Sequence, residues 1–144
     1  MKTIFAGSRT LSESLVLDIL GKMDLDFRVS ECVHGGCRGV DLTAGKFFKG
    51  KCPIKIFKAD WLQYGKAAGP IRNRRMAEYA DALVAIWDGK STGTRNMIVE
   101  MFSLGKIVVV LKVCPVCKGT GQADSGGVHP WGEPINVPCE CKNQ

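Results

Sequence analysis

The sequence has no long hydrophobic run. Its apolar stretches are short, and none approaches the roughly 18–20 residues that a membrane-spanning helix needs. The first ten residues, MKTIFAGSRT, carry one lysine and then too short an apolar segment for the core of a signal peptide, so they are typical of a buried first strand. We therefore expect a cytoplasmic protein without a membrane partner.

Two common phosphate-binding motifs are also missing. The chain contains neither the GxGxxG fingerprint nor the GxxxxGK[ST] loop. These absences exclude an ordinary dinucleotide dehydrogenase and a P-loop NTPase. Histidine is scarce, with two residues in the chain, and His34 lies in an apolar stretch where a buried core histidine is the better interpretation.

What the chain does have is enough apolar content for a core and an excess of positive charge. It has 144 residues, of which 45% are hydrophobic, and a net charge of +6. Residues 1–112 hold 18 Lys and Arg against 11 Asp and Glu, or +7, whereas residues 113–144 hold 2 against 3, or −1. A basic domain suits a phosphate-bearing partner, although a solvated basic surface explains the charge equally well.

Apolar runs alternate with segments of helical pattern. Strands are predicted at KTIFAG, SECVHGG, CPIKIFKA, DALVAIWD and KIVVVLK, with helices at SESLVLDILGKM, GVDLTAGKFFKG, PIRNRRMAEYA and GTRNMIVEMFSLGK. Continuously apolar strands are typical of a parallel sheet covered by helices. The pattern predicts an α/β fold in residues 1–112, a Rossmann-like parallel sheet of about five strands with helices on both faces, followed by a small tail at 113–144.

The cysteines point to a metal site in the tail. Seven is an odd number, so a full disulfide framework is not available. Four of them follow the pattern C-x2-C-x21-C-x-C, namely Cys114, Cys117, Cys139 and Cys141. Four thiolates form a closed tetrahedral site, which predicts structural Zn(2+). The alternative is a disordered tail with free thiols.

Small and polar residues follow four of the predicted strands. Because the carboxyl ends of parallel strands meet at one edge of the sheet, we expect a ligand site there, with helix N-termini that favour anions. The candidate ligand-binding residues are Gly7, Ser8, Arg9, Gly35, Gly36, Arg38, Gly39, Asp41, Arg72, Asn73, Asp88, Ser91, Gly93 and Thr94.

Each side chain in this set has a functional and a structural interpretation. Arg9 and Arg38 suit bidentate phosphate contacts. Asp41 fits either a ribose hydroxyl or a helix cap, and Asp88 fits a sugar hydroxyl, a general base or a turn. Trp61 fits a base-stacking surface or the core.

The third helix adds one more argument for an anion. Arg72, Asn73 and Arg75 are predicted near its start, with Pro70 at the first helical position. Positive charge at a helix N-terminus is unfavourable unless an anion lies nearby.

Four motifs together resemble a known superfamily. The segments GSR, GGCRGVD, ADWxxYGKAAGPIRNRRM and WDGKSTGTRNMI resemble the SLOG superfamily, and within it the YspA-type branch of bacterial and phage proteins. The resemblance covers residues 1 to about 112. It implies a Rossmann-like fold and ligands that are nucleotides or nucleotide-derived molecules, including ADP-ribose-like signals. The superfamily also includes the lonely-guy phosphoribohydrolases and the DNA-processing protein A family.

The chain departs from the lonely-guy pattern at one decisive position. Arg72 matches the arginine of those enzymes, but Met97 stands where the resemblance requires a glutamate. Glu100 comes three residues later, about 4.5 Å further along a helix axis. We therefore expect phosphate binding without lonely-guy-type hydrolysis. In the tail, CPVCKGTG is similar to half of the DnaJ cysteine-rich motif, which implies zinc binding.

Three functions remain open from the sequence. The first is a sensor, carrier or sequestering protein for a nucleotide-derived small molecule, such as an ADP-ribose-like compound or a cyclic nucleotide. The second is a nucleotide-processing hydrolase, an N-glycosidase or phosphohydrolase, with Asp88 or Glu100 in acid–base roles. Nucleic-acid binding is the third and is not favoured. A homo-oligomer is compatible with each.

Overall fold

A computed structural model describes residues 1–25 and 27–113 of the chain, together with the backbone of residues 122–128 and 134–138. The chain divides into two compact units, Met1–Lys112 and Val113–Gln144. No helix in the described part of the chain is both long and apolar enough to cross a lipid bilayer.

The first unit is built on a five-stranded parallel sheet. Its strands are β1 (Lys2–Gly7), β2 (Glu31–His34), β3 (Ile54–Ile56), β4 (Ala82–Trp87) and β5 (Ile107–Lys112). Their order across the sheet is β3-β2-β1-β4-β5, and every neighbouring pair is parallel. The chain thus moves outward from β1 in one direction and from β4 in the other. The topological switch point lies between these two central strands.

Five α-helices connect the strands. They are α1 (Glu13–Lys22), α2 (Val40–Phe48), α3 (Trp61–Tyr64), α4 (Ala68–Tyr79) and α5 (Thr92–Ser103), with a 3-10 turn at Gly65–Ala67 between α3 and α4. The start of α1 was predicted correctly, because the Ser12 side chain caps it by accepting a hydrogen bond from the Leu15 N–H.

Helices cover both faces of the sheet, as the apolar strands predict. On β1, Phe5 and Ile4 point to opposite faces, as successive residues of a strand must. Phe5 packs on Phe48 of α2, with ring centroids 4.8 Å apart. Ile4 belongs to the core cluster that contains Met76 of α4 and Met97 of α5. The domain is therefore a doubly wound, Rossmann-like α/β sandwich.

The start of α4 differs from the prediction. The helix begins at Ala68 rather than at Pro70, so Pro70 is its third residue. Proline is tolerated there because the N–H groups of the first turn have no intrahelical acceptor. Arg72 consequently lies in the second turn, beyond the reach of the positive helix end. The expectation that its charge opposes the helix dipole, and so indicates an anion, is wrong.

The second unit contains an antiparallel hairpin. Strand β6 (Gln122–Val128) pairs with β7 (Pro134–Pro138), with Gln122 opposite Pro138 and an irregular register between Asp124 and Val128. The four cysteines of the predicted zinc site lie outside the described residues.

Candidate functional site

A polar pocket opens at the carboxyl ends of β1, β2 and β4, beside the switch point. Its interior volume is about 60 Å³, which is room for about four water molecules. It has the size of a phosphate group rather than of a whole nucleotide. The residues that line it are Ala6, Gly7, Arg9, Cys37, Asp41, Arg72, Asn73, Met76, Ser91, Gly93, Thr94 and Met97.

Gly7 lets the sheet close around this pocket. A Cβ atom at this position would overlap the carbonyl oxygen of Ile86 on β4 and the side chain of Val40 on α2. Only glycine allows β1 to end this close to both neighbours. The pocket floor is therefore formed by backbone rather than by side chains at this point.

Asp41 is the one carboxylate among the lining residues, and it is buried. Its Oδ2 atom accepts hydrogen bonds from the backbone N–H of Gly35 at 3.0 Å and of Cys37 at 3.3 Å. Burial raises the pKa of Asp41 to about 6, although these two N–H groups and the positive charges of Arg72 and Arg9 oppose the rise. Near neutral pH the carboxyl group is thus poised to gain a proton when negative charge arrives beside it.

Two arginines supply the positive charge of the pocket. Arg72 is fixed, because its Nη1 atom donates to the Gly35 carbonyl oxygen at 2.8 Å and its Nε atom donates to Asn73 at 3.0 Å. Arg9 is exposed and has one contact in the described structure, from Nη2 to the Cys37 sulfur at 3.5 Å. Arg72 Nη2 also lies 4.0 Å from this sulfur. The guanidinium groups of Arg9, after β1, and Arg72, on α4, therefore both approach the pocket beside the Cys37 sulfur.

The start of α5 forms another wall. Ser91 is the N-cap residue, and Gly93 and Thr94 lie in the first turn, where N–H groups have no intrahelical carbonyl partner. Asn73 holds this turn against α4, because its Nδ2 atom donates to the Gly93 carbonyl oxygen at 3.2 Å and to Asn96 Oδ1 at 2.9 Å. The positive end of the α5 dipole thus faces the same space as the arginines.

The structure brings eight of the fourteen candidate residues together at the pocket: Gly7, Arg9, Asp41, Arg72, Asn73, Ser91, Gly93 and Thr94. Two more, Ser8 and Gly35, lie outside the lining and make hydrogen bonds that hold the surrounding chain in place. Ser8 is buried, and its hydroxyl oxygen accepts a hydrogen bond from the Asp88 N–H at 2.9 Å, which joins the ends of β1 and β4. Gly35 is the backbone acceptor for Arg72.

The remaining four candidates also lie outside the pocket lining: Gly36, Arg38, Gly39 and Asp88. Gly36 and Gly39 have positive φ angles of 76° and 86° and shape the turn between β2 and α2. A Cβ at Gly39 would lie 2.7 Å from the Ser8 carbonyl oxygen, so this turn packs directly on the end of β1. Arg38, between the two glycines, is exposed.

Asp88 and Glu100, the carboxylates named for the hydrolase alternative, both accept hydrogen bonds within the domain. Asp88 Oδ1 accepts hydrogen bonds from the N–H groups of Lys90 and Ser91, both at 2.8 Å. Partial burial raises the pKa of Asp88, but these hydrogen bonds outweigh it and lower the pKa overall. Glu100 pairs with Arg74 at 2.9 Å. Asp88 therefore acts as a turn residue and Glu100 as a surface ion-pair partner.

Met97 of α5 also lines the pocket. Its side chain is buried and belongs to the apolar core cluster. The pocket wall is therefore apolar at this point.

His34 and Cys37, on either side of the glycine pair after β2, differ in their surroundings. His34 is buried, and its Nδ1 atom accepts a hydrogen bond from the Gly36 N–H at 3.0 Å, so its interpretation as a satisfied core histidine is supported. Burial lowers the pKa of His34 and keeps the ring neutral. Cys37 was not among the candidate residues, yet its sulfur lies at the pocket beside both arginines. Its place in GGCRG, between Gly36 and Gly39, is the sequence signal for that position.

The fold and pocket define a Rossmann-like α/β domain with a small, polar pocket at its topological switch point. Neither a family model nor a solved structure matches the chain. The Gene 61 protein of Mycobacterium phage D29 is 36% identical to it over 84 residues, which cover 54% of this chain and 67% of the phage protein. The chain belongs to the same family as that phage protein.

Proposed function

We propose that the protein binds the phosphate group of a nucleotide or nucleotide-derived small molecule in the pocket beside β1 and β4, and that it acts as a sensor, carrier or sequestering protein. The observation that carries this proposal is the convergence of Arg9, Arg72 and the first turn of α5 on one space of phosphate size. Charged guanidinium groups and free N–H groups are the donors that phosphates require.

The charge balance of the pocket supports an anionic ligand. Two arginines face a single carboxyl group, Asp41, whose pKa of about 6 lets it become neutral as an anion binds. A dianion would thus meet two positive charges and one carboxyl group that can take up a proton. Cationic or neutral ligands would gain nothing from this arrangement.

Binding without turnover is favoured over hydrolysis. The lonely-guy position is occupied by the buried Met97, and Glu100 is paired with Arg74. Asp88 uses one carboxylate oxygen to accept two backbone hydrogen bonds. General acid–base catalysis needs a titratable group within hydrogen-bond reach of the reacting atoms, and neither Asp88 nor Glu100 lines the pocket.

The first test identifies the natural ligand. The full chain is purified without added nucleotides and denatured, and the released small molecules are analysed by mass spectrometry. Isothermal titration with AMP, ADP-ribose and inorganic phosphate then measures affinity. We expect a phosphate-bearing compound to bind and to remain intact on prolonged incubation. Release of free base or phosphate would favour the hydrolase alternative instead.

A matched pair of arginine variants tests the location. Arg9 lines the pocket, whereas Arg38 is exposed on the neighbouring turn outside it. We expect Arg9→Ala to weaken binding by about 1.5–3 kcal/mol, the usual worth of a hydrogen bond to a charged group. Arg38→Ala should change it by less than about 0.5 kcal/mol. Equal losses in both variants, or a loss only in Arg38→Ala, would place the anion elsewhere.

A further inference from the structure

The pocket is too small to enclose a nucleotide, so most of such a ligand must lie outside it along the edge of the sheet. Its volume of about 60 Å³ accommodates a phosphate group. The residues next to the pocket along this edge therefore decide which phosphate-bearing molecules bind. Trp61, the first residue of α3, stands at this edge with 55% of its surface exposed.

The geometry of α4 relates Trp61 to the pocket. A Cβ atom at Gly69 would lie 3.5 Å from Trp61 Cη2, so the indole ring borders α4 at this glycine. Residues three and four apart lie on one face of a helix. Gly69 thus shares its face with Arg72 and Asn73, both of which line the pocket. Gly69 precedes Arg72 and Asn73 by about one helical turn, roughly 5 Å along the axis, so the ring borders the turn of α4 next to the one that lines the pocket.

The position of Trp61 is defined by its own short helix. Asp60 caps α3, with its Oδ1 atom accepting a hydrogen bond from the Gln63 N–H at 3.1 Å. The absence of a side chain at Gly69 leaves the ring edge in direct reach of the α4 backbone. A half-exposed indole ring offers a flat apolar face on which a second ring can stack.

We propose that Trp61 is the specificity-determining residue of this site and stacks on the base of a nucleotide whose phosphate occupies the pocket. This inference rests on the proposed function. It names an aromatic base as a required part of the ligand and predicts discrimination against sugar phosphates that lack one. Base–aromatic stacking tolerates different bases, so the site would select nucleotides as a class rather than one base.

The experiment compares two probes that differ only in the base, AMP and ribose 5-phosphate, by isothermal titration with the full chain. We expect AMP to bind about ten- to a hundredfold more tightly than ribose 5-phosphate, as one stacked base provides. Trp61→Ala should remove this difference by weakening AMP alone, and Trp61→Phe should restore most of it.

The neighbouring residue supplies the matched control. Leu62 follows Trp61 on α3 and is fully exposed, at 102%, so Leu62→Ala should leave both affinities unchanged. Binding of neither probe would overturn the proposed function and the inference with it. Equal affinity of the wild type for both probes, or an undiminished preference for AMP in Trp61→Ala, would overturn the inference alone.

Discussion

The carboxylate of Asp41 accepts a hydrogen bond from the Gly35 N–H, 3.0 Å away, and so ties the start of α2 to the end of β2. The same oxygen accepts from Cys37 N–H. This arrangement closes the loop that carries one side of the pocket. It also places a buried acid whose pKa is about 6 against two arginines, so both folding and anion binding should respond to pH.

The first prediction concerns stability. The pKa of Asp41 is about 6 in the folded protein and about 3.8 for an unperturbed aspartate, so the folded state holds this proton more tightly than the unfolded state. The contribution of Asp41 to the free energy of unfolding is most favourable below about pH 3.8 and is lost as the pH rises to about 6. We expect Asp41→Asn to gain about 2–3 kcal/mol relative to the wild type between about pH 4 and pH 6.5. Urea unfolding at a series of pH values measures this difference.

Asp18→Asn serves as the control for that series, because Asp18 lies on the surface in an i,i+4 pair with Lys22. Such exposed pairs contribute little, so its difference from the wild type should stay nearly constant with pH.

The same variants test binding: sulfate, which stays a dianion throughout, should bind the wild type more weakly as pH rises through about 6. A wild-type curve that parallels Asp41→Asn would contradict the prediction.

A second prediction concerns a glycine in the middle of α2. A Cβ at Gly45 would lie 2.9 Å from Nε2 of His34, whose ring is buried and held by the Gly36 N–H. Gly45→Ala should therefore destabilise the protein by about 1–3 kcal/mol, as overpacking does, despite the better helix propensity of alanine. Gly21→Ala in α1 is the matched variant, since nothing lies within 4 Å of its added methyl group. Gly21→Ala should stabilise the protein by up to about 1 kcal/mol. If both variants change the free energy of unfolding in the same direction, this account is refuted.

A third prediction concerns the end of α4. The Lys106 ammonium group donates to the carbonyl oxygens of Ala77 at 2.6 Å, Glu78 at 3.0 Å and Ala80 at 2.6 Å. It thereby satisfies the free carbonyls at the negative end of the helix. Lys106→Met, which keeps the aliphatic stem, should cost about 1.5–3 kcal/mol in the free energy of unfolding. Lys49→Met, on an exposed residue after α2, should cost almost nothing, and a similar loss there would point to charge rather than capping.

A fourth prediction concerns the zinc ion that the sequence predicts in the second unit. In the β6–β7 hairpin, Gln122 lies opposite Pro138. Cys139 directly follows Pro138 in the sequence and Cys117 precedes Gln122 by five residues, and the zinc site built from the two cysteine pairs stays a prediction from their spacing. We expect one zinc ion per chain by elemental analysis, lost in Cys139→Ser and kept in Cys52→Ser. Protein purified without chelator that contains no metal would end this idea.

Chelation separates the contributions of the two units. All five strands of the parallel sheet lie within residues 1–112, so removal of the metal should leave the main thermal transition nearly unchanged. Protease sensitivity should rise within residues 113–144, because a Gly- and Pro-rich segment buries too little apolar surface to offset its chain entropy. A large drop in the main transition temperature would contradict this division.

The sheet was predictable from the sequence because its strands are continuous apolar runs, a pattern with few alternatives. The run ALVAIW became β4 at the centre of the sheet, with five consecutive buried residues. Helix α3 and the turn after it were missed because WLQYGKA is too short to show a helical period. The signal that could have found α3 is Asp60, whose side chain caps the N–H of Gln63.

The edge that holds the site was also predictable, since ligands of doubly wound sheets bind where the strand order reverses. Which arginine faces the pocket was not. Arg38 and Arg9 both follow strand ends, but Arg38 lies between two glycines with positive φ angles that turn the chain away. Cys37 was not predicted to line the pocket, because its place there depends on the approach of Arg72, which comes 35 residues later in the sequence.

The pocket gathers residues from Ala6 to Met97, four separate stretches that meet only when β1 and β4 are side by side. An occupant would therefore act as a non-covalent cross-link between the first and second halves of the domain. Because it binds the assembled form alone, it would hold the halves together by mass action and slow their separation. Two fragments of the chain divided at the exposed Lys66, between α3 and α4, would carry five and seven of the twelve lining residues, and the ligand would promote their reassembly.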